Sequence, residues 1–199
     1  MTAAGERATY ADYLAFEEAS EQKHEYVDGV IYAITGGISD HALRTDPGRT
    51  PAHARLAMSV GRLLGNALAD KPCAVFSADA RVRVVATGRS TYPDVSVVCT
   101  RVEPAPDDPL AITNPILLVE VLSPTTEASD RGDKWHHYQR IPSLQEYVLV
   151  GQEPQQVEVY RREGEVWTYR SYDENAQIEL ASLGVTLDLP ALYRDPLAG

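Results

Sequence analysis

The stretch Asn114–Tyr138, NPILLVEVLSPTTEASDRGDKWHHY, constrains the chain more than any other. Its run Ile116–Val121 is short, apolar and bounded by prolines, which reads as a β-strand buried on both faces. A carboxylate, Glu120, sits inside that run. Burying an isolated ionised carboxylate is costly, so the fold must bring a cation or hydrogen-bond donors to Glu120. A Ser123–Pro124 turn follows, then a helix near Asp130–Arg140 that carries Lys134, with Pro142 just past its end. A second acidic residue, Asp94, opens an earlier strand in Tyr92-Pro93-Asp94-Val95-Ser96-Val97-Val98. Two carboxylates from neighbouring strands and one lysine are the minimal parts of a divalent-metal phosphodiester hydrolase. Mg²⁺ takes carboxylate oxygens while keeping several waters, and a substrate phosphate completes its shell.

Around this stretch the patterning predicts a mixed α/β (α+β) chain. Thr9–Gln22 reads as a helix capped by Thr9, with Tyr10, Tyr13 and Leu14 inward. Tyr26–Thr35 reads as a hairpin turning at Asp28-Gly29, and Gly36–Pro51 as a loop. His53–Asp70 is amphipathic, with Leu56, Val60, Leu63 and Ala67 at helical spacing. Cys73–Val85 alternates as one strand, Ala74, Phe76, Ala78, Ala80, Val82 and Val84 against Ser77, Asp79, Arg81 and Arg83. Asp94–Cys99 and Ile116–Leu122 are expected as central strands joined by the acidic, proline-rich linker Glu103–Pro109. Glu146–Val150 is a further strand, Val157–Arg161 and Val166–Ser171 a hairpin through Glu163-Gly164, and Gly184–Tyr193 a short strand and final turn. Regular βα alternation, GxGxxG and a phosphate-cradling P-loop are all missing from the sequence, which argues against a doubly wound nucleotide fold. At 199 residues the simplest organisation is one domain, 1–199, with its core over about 10–193.

Composition adds one objection. The formal charge of −11 runs against nucleic-acid binding, whose affinity rests on neutralising phosphates. No apolar run approaches the roughly 20 residues that span a bilayer, and the N-terminus lacks the plan of a secretory signal. Cys73 and Cys99 lack metal-type spacing and predict no disulfide framework, so a reduced, cytoplasmic protein is expected.

Further candidates stand beside Asp94 and Glu120. Arg131, Lys134 and Tyr138 recur at i, i+3 and i+7, so one helix face is expected to carry all three, with Lys134 holding water or stabilising developing charge. His53, at a helix start, is expected to be kept neutral by the helix dipole and free to accept a proton or ligate metal; His41 is its alternative. His136 and His137 are adjacent and make a poor metal pair. Glu25 either reaches the metal or its water or is an exposed helix-end residue. Asp79 is either one of an acidic pocket, with neighbouring arginines holding phosphate, or simply ion-paired.

The set Lys23-His24-Glu25-Tyr26-Val27-Asp28-Gly29, His53, Phe76-Ser77-Ala78-Asp79, Tyr92-Pro93-Asp94, Leu118-Val119-Glu120-Val121-Leu122-Ser123-Pro124 and Asp130-Arg131-Gly132-Asp133-Lys134 resembles the Uma-type restriction endonuclease family, a branch of the PD-(D/E)XK nuclease superfamily. The resemblance runs from about Tyr10 to Tyr193. It implies a restriction-endonuclease-like core, a mixed central sheet flanked by helices with additional terminal hairpins, and a Mg²⁺-dependent site in which Mn²⁺ substitutes. Asp94 carries over as the aspartate of the PD motif and Glu120 as the acidic residue of (D/E)XK. Leu122 stands where the superfamily lysine would be, and in this branch the role passes to Lys134. Glu25 matches the acidic residue of the first helix. DNA is the substrate so implied. The competing functions are a catalytically weak or inactive nuclease-fold interaction module and a metal-dependent hydrolase of a small phosphoester. The edge offered by the Val157–Ser171 hairpin suggests a homodimer.

Overall fold

The structure, a computed structural model, describes residues 7–34 and 50–197. Residues 35–49, the last of the expected hairpin and most of the expected loop, His41 among them, lie outside this set. Thr9 caps α1 (Tyr10–Ala19), accepting from the Asp12 N–H while the Asp12 carboxylate accepts from the Thr9 N–H. β1 (His24–Val27) and β2 (Val30–Ala33) form the expected hairpin, with Asp28 and Gly29 at φ 49° and 81°. Asp-Gly suits these two left-handed positions of a tight turn. α2 (Pro51–Ala67) starts at Thr50, whose hydroxyl accepts from the His53 N–H at 3.1 Å.

The expected single strand Cys73–Val85 is two strands in different sheets, β3 (Ala74–Ser77) and β4 (Val82–Val84). A turn closed by Ala80 N–H to Ser77 O separates them, and the alternation stays in phase across it, which hides the break. β5 (Arg89–Thr91) and β6 (Val95–Val98) follow. The expected linker holds β7 (Pro104–Ala105) and the start of β8 (Asp108–Ile112); its acids pair with Arg81 and Arg83, which is why an acidic segment can join a sheet. β9 (Leu117–Val121) leads into α3 (Glu127–Ser129), a π-helical turn (Asp130–Lys134) and α4 (Trp135–Tyr138). β10 (Glu146–Val150), β11 (Gln156–Glu163), β12 (Val166–Asp173), β13 (Gln177–Leu180), β14 (Val185–Asp188) and α5 (Leu189–Tyr193) complete the chain.

Two six-stranded mixed sheets result, ordered β2-β1-β5-β4-β8-β7 and β12-β11-β10-β9-β6-β3, with β13–β14 as a separate hairpin. The N-terminal hairpin is thus the edge of a full sheet. In the second sheet, alternate residues divide between two cores. Val95, Val97, Leu117, Val119, Val121, Val148 and Val150 pack with Leu56, Val60 and Leu64 of α2 and Leu189 and Leu192 of α5. Val98, Leu118, Leu122, Tyr147 and Leu149 face Val82, Val84 and Ile112 of the first sheet and Tyr138. Period-two alternation therefore puts Glu120, between Leu118 and Leu122, in the layer between the sheets.

Cys73 and Cys99 are disulfide-bonded, which overturns the expectation of reduced thiols. Extending the β3–β6 register, Ala74 opposite Val98, by one residue sets the two cysteines directly across from each other. Their separation of 26 residues carries no hint of that pairing. Among the described residues no helix is long and apolar enough to cross a membrane.

Candidate functional site

Strand register builds the centre of the site. β6 and β9 are antiparallel with Val95 opposite Val119, so Asp94 and Glu120 occupy the next opposed position and project to the same face. Asp94 Oδ2 accepts from the Val121 N–H at 2.7 Å and lies 3.3 Å from His53 Nε2. Glu120 Oε1 accepts from the Tyr138 hydroxyl at 2.8 Å and lies 3.1 Å from Lys134 Nζ. Glu25, His53, Asp94, Glu120 and Lys134 line one cleft of about 80 Å³, together with Lys23, Tyr92, Ser123 and Thr126. The two carboxylates, the lysine, the hairpin glutamate and the helix-start histidine are thereby brought together.

The π-helical turn sets the reach of Lys134. Within it Asp130 Oδ1 lies 2.8 Å from Lys134 Nζ, and the Tyr147 hydroxyl donates to the Asp130 carbonyl, tying the turn to β10. Wider winding also separates residues that a regular helix would align. Lys134 and Tyr138 both reach Glu120, whereas Arg131 turns away and forks onto Glu158 at 2.6 and 2.7 Å, with Glu127 at 2.8 Å. The expected shared face therefore omits Arg131. Asp79 also stands apart: it is 85% exposed in the turn after β3 and pairs with Lys23, while Arg81 and Arg83 pair elsewhere. His137 lies outside the cleft lining and meets Thr87 Oγ1 at 2.8 Å.

Charge is unevenly balanced here. Burial, opposed by Lys134 and reinforced by Asp130 and Asp94, pushes the Glu120 carboxyl up to about 8. Burial works against the Lys134 ammonium, but Glu120, Glu25 and Asp130 outweigh it and hold its pKa well above the ordinary value. Both feel one upward push from neighbouring carboxylates, which dominates for Lys134 and comes second to burial for Glu120. Glu25 escapes it: burial is outweighed by Lys134 and Arg89, and its pKa is lowered. His53 differs from expectation. Burial lowers its pKa, but the contact with Asp94 outweighs burial, and the net shift is upward, away from the neutral form.

Three contributors went unnoticed in the sequence. Arg89, 2% exposed, donates to Glu25 Oε2 at 2.8 Å and to Asp133. Thr91 donates to Glu25 Oε1 at 2.6 Å. Asp130, four residues before Lys134, carried a readable signal as an i, i+4 pair; Arg89 and Thr91, short of the Tyr-Pro-Asp motif, carried none.

A resident metal is tested by the donor set. Among the described residues no three His, Cys, Asp or Glu side chains are grouped to hold an ion. No described group hydrogen-bonds to the second oxygens of the opposed pair, Asp94 Oδ1 and Glu120 Oε2. Two carboxylates with no thiol suit a hard cation that keeps its waters, the Mg²⁺ or Mn²⁺ class, and do not suit a closed zinc site.

Comparison with known proteins gives the following. A family model, Uma2, described as "Putative restriction endonuclease", matches residues 10–190. Two proteins of Synechocystis sp., both described as uncharacterized, are 35% and 32% identical over 187 and 179 residues, covering 92% and 89% of this chain and 90% and 94% of theirs. A crystal structure from Anabaena variabilis, described as "a putative nuclease belonging to DUF820", superposes with a TM-score of 0.70 at 19% identity, covering 93% of this chain and 97% of that one.

Proposed function

For a chain that belongs to the Uma2 family of restriction-endonuclease type, we propose a Mg²⁺-dependent endonuclease, with Mn²⁺ substituting, that hydrolyses phosphodiester bonds of DNA. The observation that carries this reading is the convergence of Asp94, Glu120 and Lys134 on one cleft, with Glu25 and His53 in its wall. Asp94 and Glu120 would hold the ion through their oxygens. The chemistry such an ion supplies when bound is neutralisation at the phosphate and acidification of a water.

The chain's own groups do the rest. Lys134 is held as an ammonium, so it is suited to orienting the attacking water and stabilising phosphoryl charge, and poorly suited to serving as a base. Asp130 and Glu120 fix that ammonium from two sides. Arg89 and Thr91 hold Glu25 ionised at the cleft wall. His53 lies against Asp94, whose Oδ2 accepts from the Val121 N–H, and that contact favours the protonated imidazole. Tyr138 orients the Glu120 carboxyl. A second copy would pair along the outer edge of β12, which size-exclusion chromatography with light scattering of the purified chain checks as a dimer mass.

The test is plasmid cleavage by purified protein with Mg²⁺ or Mn²⁺, with nucleotides and model phosphodiesters assayed alongside. Nicking or cutting abolished by Glu120→Ala and by Lys134→Ala is expected. Cleavage that survives both substitutions refutes the roles, and turnover confined to small phosphoesters refutes the substrate.

A further inference from the structure

The cleft lining holds two lysines, and they differ in how firmly they are held. Lys134 is buried, with Glu120 and Asp130 fixing its ammonium. Lys23 is 34% exposed and stands just before β1. The Ile34 N–H donates to the Lys23 carbonyl at 3.1 Å, extending the β1–β2 ladder one pair beyond His24 and Ala33. Side chains two apart on a strand share a face, so Lys23 and Glu25 both line the cleft.

Three contacts hold the Lys23 ammonium at the mouth. It donates to the Ala78 carbonyl at 2.9 Å, pairs with Asp79 and stands 5.3 Å from the centre of the Tyr92 ring. Asp79 is exposed, in the turn after β3, and its own N–H reaches back to Ser77 Oγ at 3.3 Å. An ion pair this exposed is weak, because water screens it and ordering two side chains opposes it. Giving it up leaves the ammonium still seated on Ala78 and Tyr92. An ammonium also has three donors, of which Ala78 and Asp79 take two. Lys134 has no such freedom, because releasing it would strand Glu120 and Asp130 in the interior.

A phosphodiester carries a negative charge into a cleft that presents Glu25, Asp94 and Glu120. Cations must answer that charge, and of the two lysines Lys23 is the one that can turn toward it. Building on the nuclease reading, we infer that Lys23 is a substrate-binding residue whose ammonium meets a phosphate oxygen at the cleft mouth, and that Asp79 competes with that phosphate. Asp79 thereby limits affinity without touching the substrate.

The experiment measures Mg²⁺-dependent cleavage kinetics on a labelled DNA duplex and on bis-(p-nitrophenyl) phosphate, a diester with a single phosphate. Lys23→Gln is expected to raise KM about ten-fold with little change in kcat, through loss of one charge-assisted hydrogen bond. Lys23→Arg should recover most of the affinity. Asp79→Asn should lower KM about three-fold at low salt and have no further effect once Lys23→Gln is present. Both differences should shrink at high salt, where exposed charges are screened. Loss on both substrates places Lys23 on the scissile phosphate, and loss on the duplex alone places it on a flanking one; either supports the inference. Lys23→Gln with the KM of the parent, or with kcat and melting temperature falling while KM holds, overturns it and leaves the nuclease reading standing. Asp79→Asn raising KM overturns the competition. No cleavage of either substrate removes both.

Discussion

Replacing Lys134 by methionine tests the charge balance on which the site depends. The side chain is 10% exposed, and its ammonium lies 3.1 Å from Glu120 and 2.8 Å from Asp130, which are 4% and 1% exposed. Methionine keeps most of the volume and removes the charge, leaving two buried carboxylates without their shared cation. Breaking a buried pair in this way costs about 3–5 kcal/mol, which for a chain of this length lowers the melting temperature by roughly 6–20 °C. The pH dependence identifies the cause. Without the ammonium the carboxyl of Glu120, already raised, rises further, so the folded state holds protons that the unfolded chain has released. Stability carried by a raised pKa is complete below the unfolded value and lost as pH rises through the folded one. The parent keeps Glu120 protonated up to about 8 as well, so the deficit of Lys134→Met should grow between pH 6 and pH 9, as the parent's carboxyl ionises and the variant's does not, measured by thermal melts in matched buffers. Millimolar Mg²⁺ should restore more of the melting temperature in the variant than in the parent, because an ion then meets the exposed excess charge. A deficit under 2 °C, or one of equal size at both pH values, refutes the reasoning.

Other outcomes follow from the same geometry. Tyr138→Phe removes the hydroxyl that donates to Glu120 and should cost about 0.5–1.5 kcal/mol in urea unfolding near pH 7, the range for a hydrogen bond to an uncharged group, because that carboxyl is raised to about 8. The His137 pKa is lowered, by burial first and Arg89 second, so its stabilising contribution is complete above the unfolded value of 6.5 and lost as pH falls; His137→Asn should flatten the decline of melting temperature below pH 6.5, whereas His53, raised, has the opposite sign. Opening the Cys73–Cys99 bond with dithiothreitol should destabilise the chain by about 3–4 kcal/mol, the chain-entropy estimate for a loop of 26 residues, and Cys99→Ser should match the reduced protein. Leu64→Ala, in the core between α2 and the second sheet, should cost about 2–5 kcal/mol in the same unfolding assay.

What could be read in advance was whatever one side chain or one period encodes. Glu120 stood out because burying a carboxylate in ILLVEVL demands a partner, and the cap at Thr9 and the Asp28-Gly29 turn follow from local chemistry, whereas Thr50, read as loop, proved to cap α2. What stayed hidden depends on long-range pairing. β3 and β4 alternate in one phase yet belong to different sheets, and the opposed cysteines are visible only once β3 lies on β6. The π-helical turn shifted Arg131 off the face predicted for it, and the Asp94 contact reversed the direction expected for His53 from the helix dipole alone. Arg89 is the clearest omission. Nothing local distinguishes it from a surface arginine, yet the fold buries it between Glu25 and Asp133.

On the proposed reading Lys134 takes the role of a lysine two residues after Glu120. A lysine two residues after the acidic strand residue would share its face, and here that position is Leu122, buried in the layer between the sheets. Placing an ammonium there would bury it among Leu118, Tyr147 and Leu149, where its cost is high. The chain instead delivers the amine from the next helical segment, with Asp130 four residues before it as a fixed support. The end of the side chain still stands 3.1 Å from Glu120. An amine held on a helix with its own carboxylate can keep its position while the strand beneath remains apolar, so the cleft and the core are packed independently. In this chain the reach of the nitrogen to Glu120, and not its spacing along the sequence, is what the fold fixes.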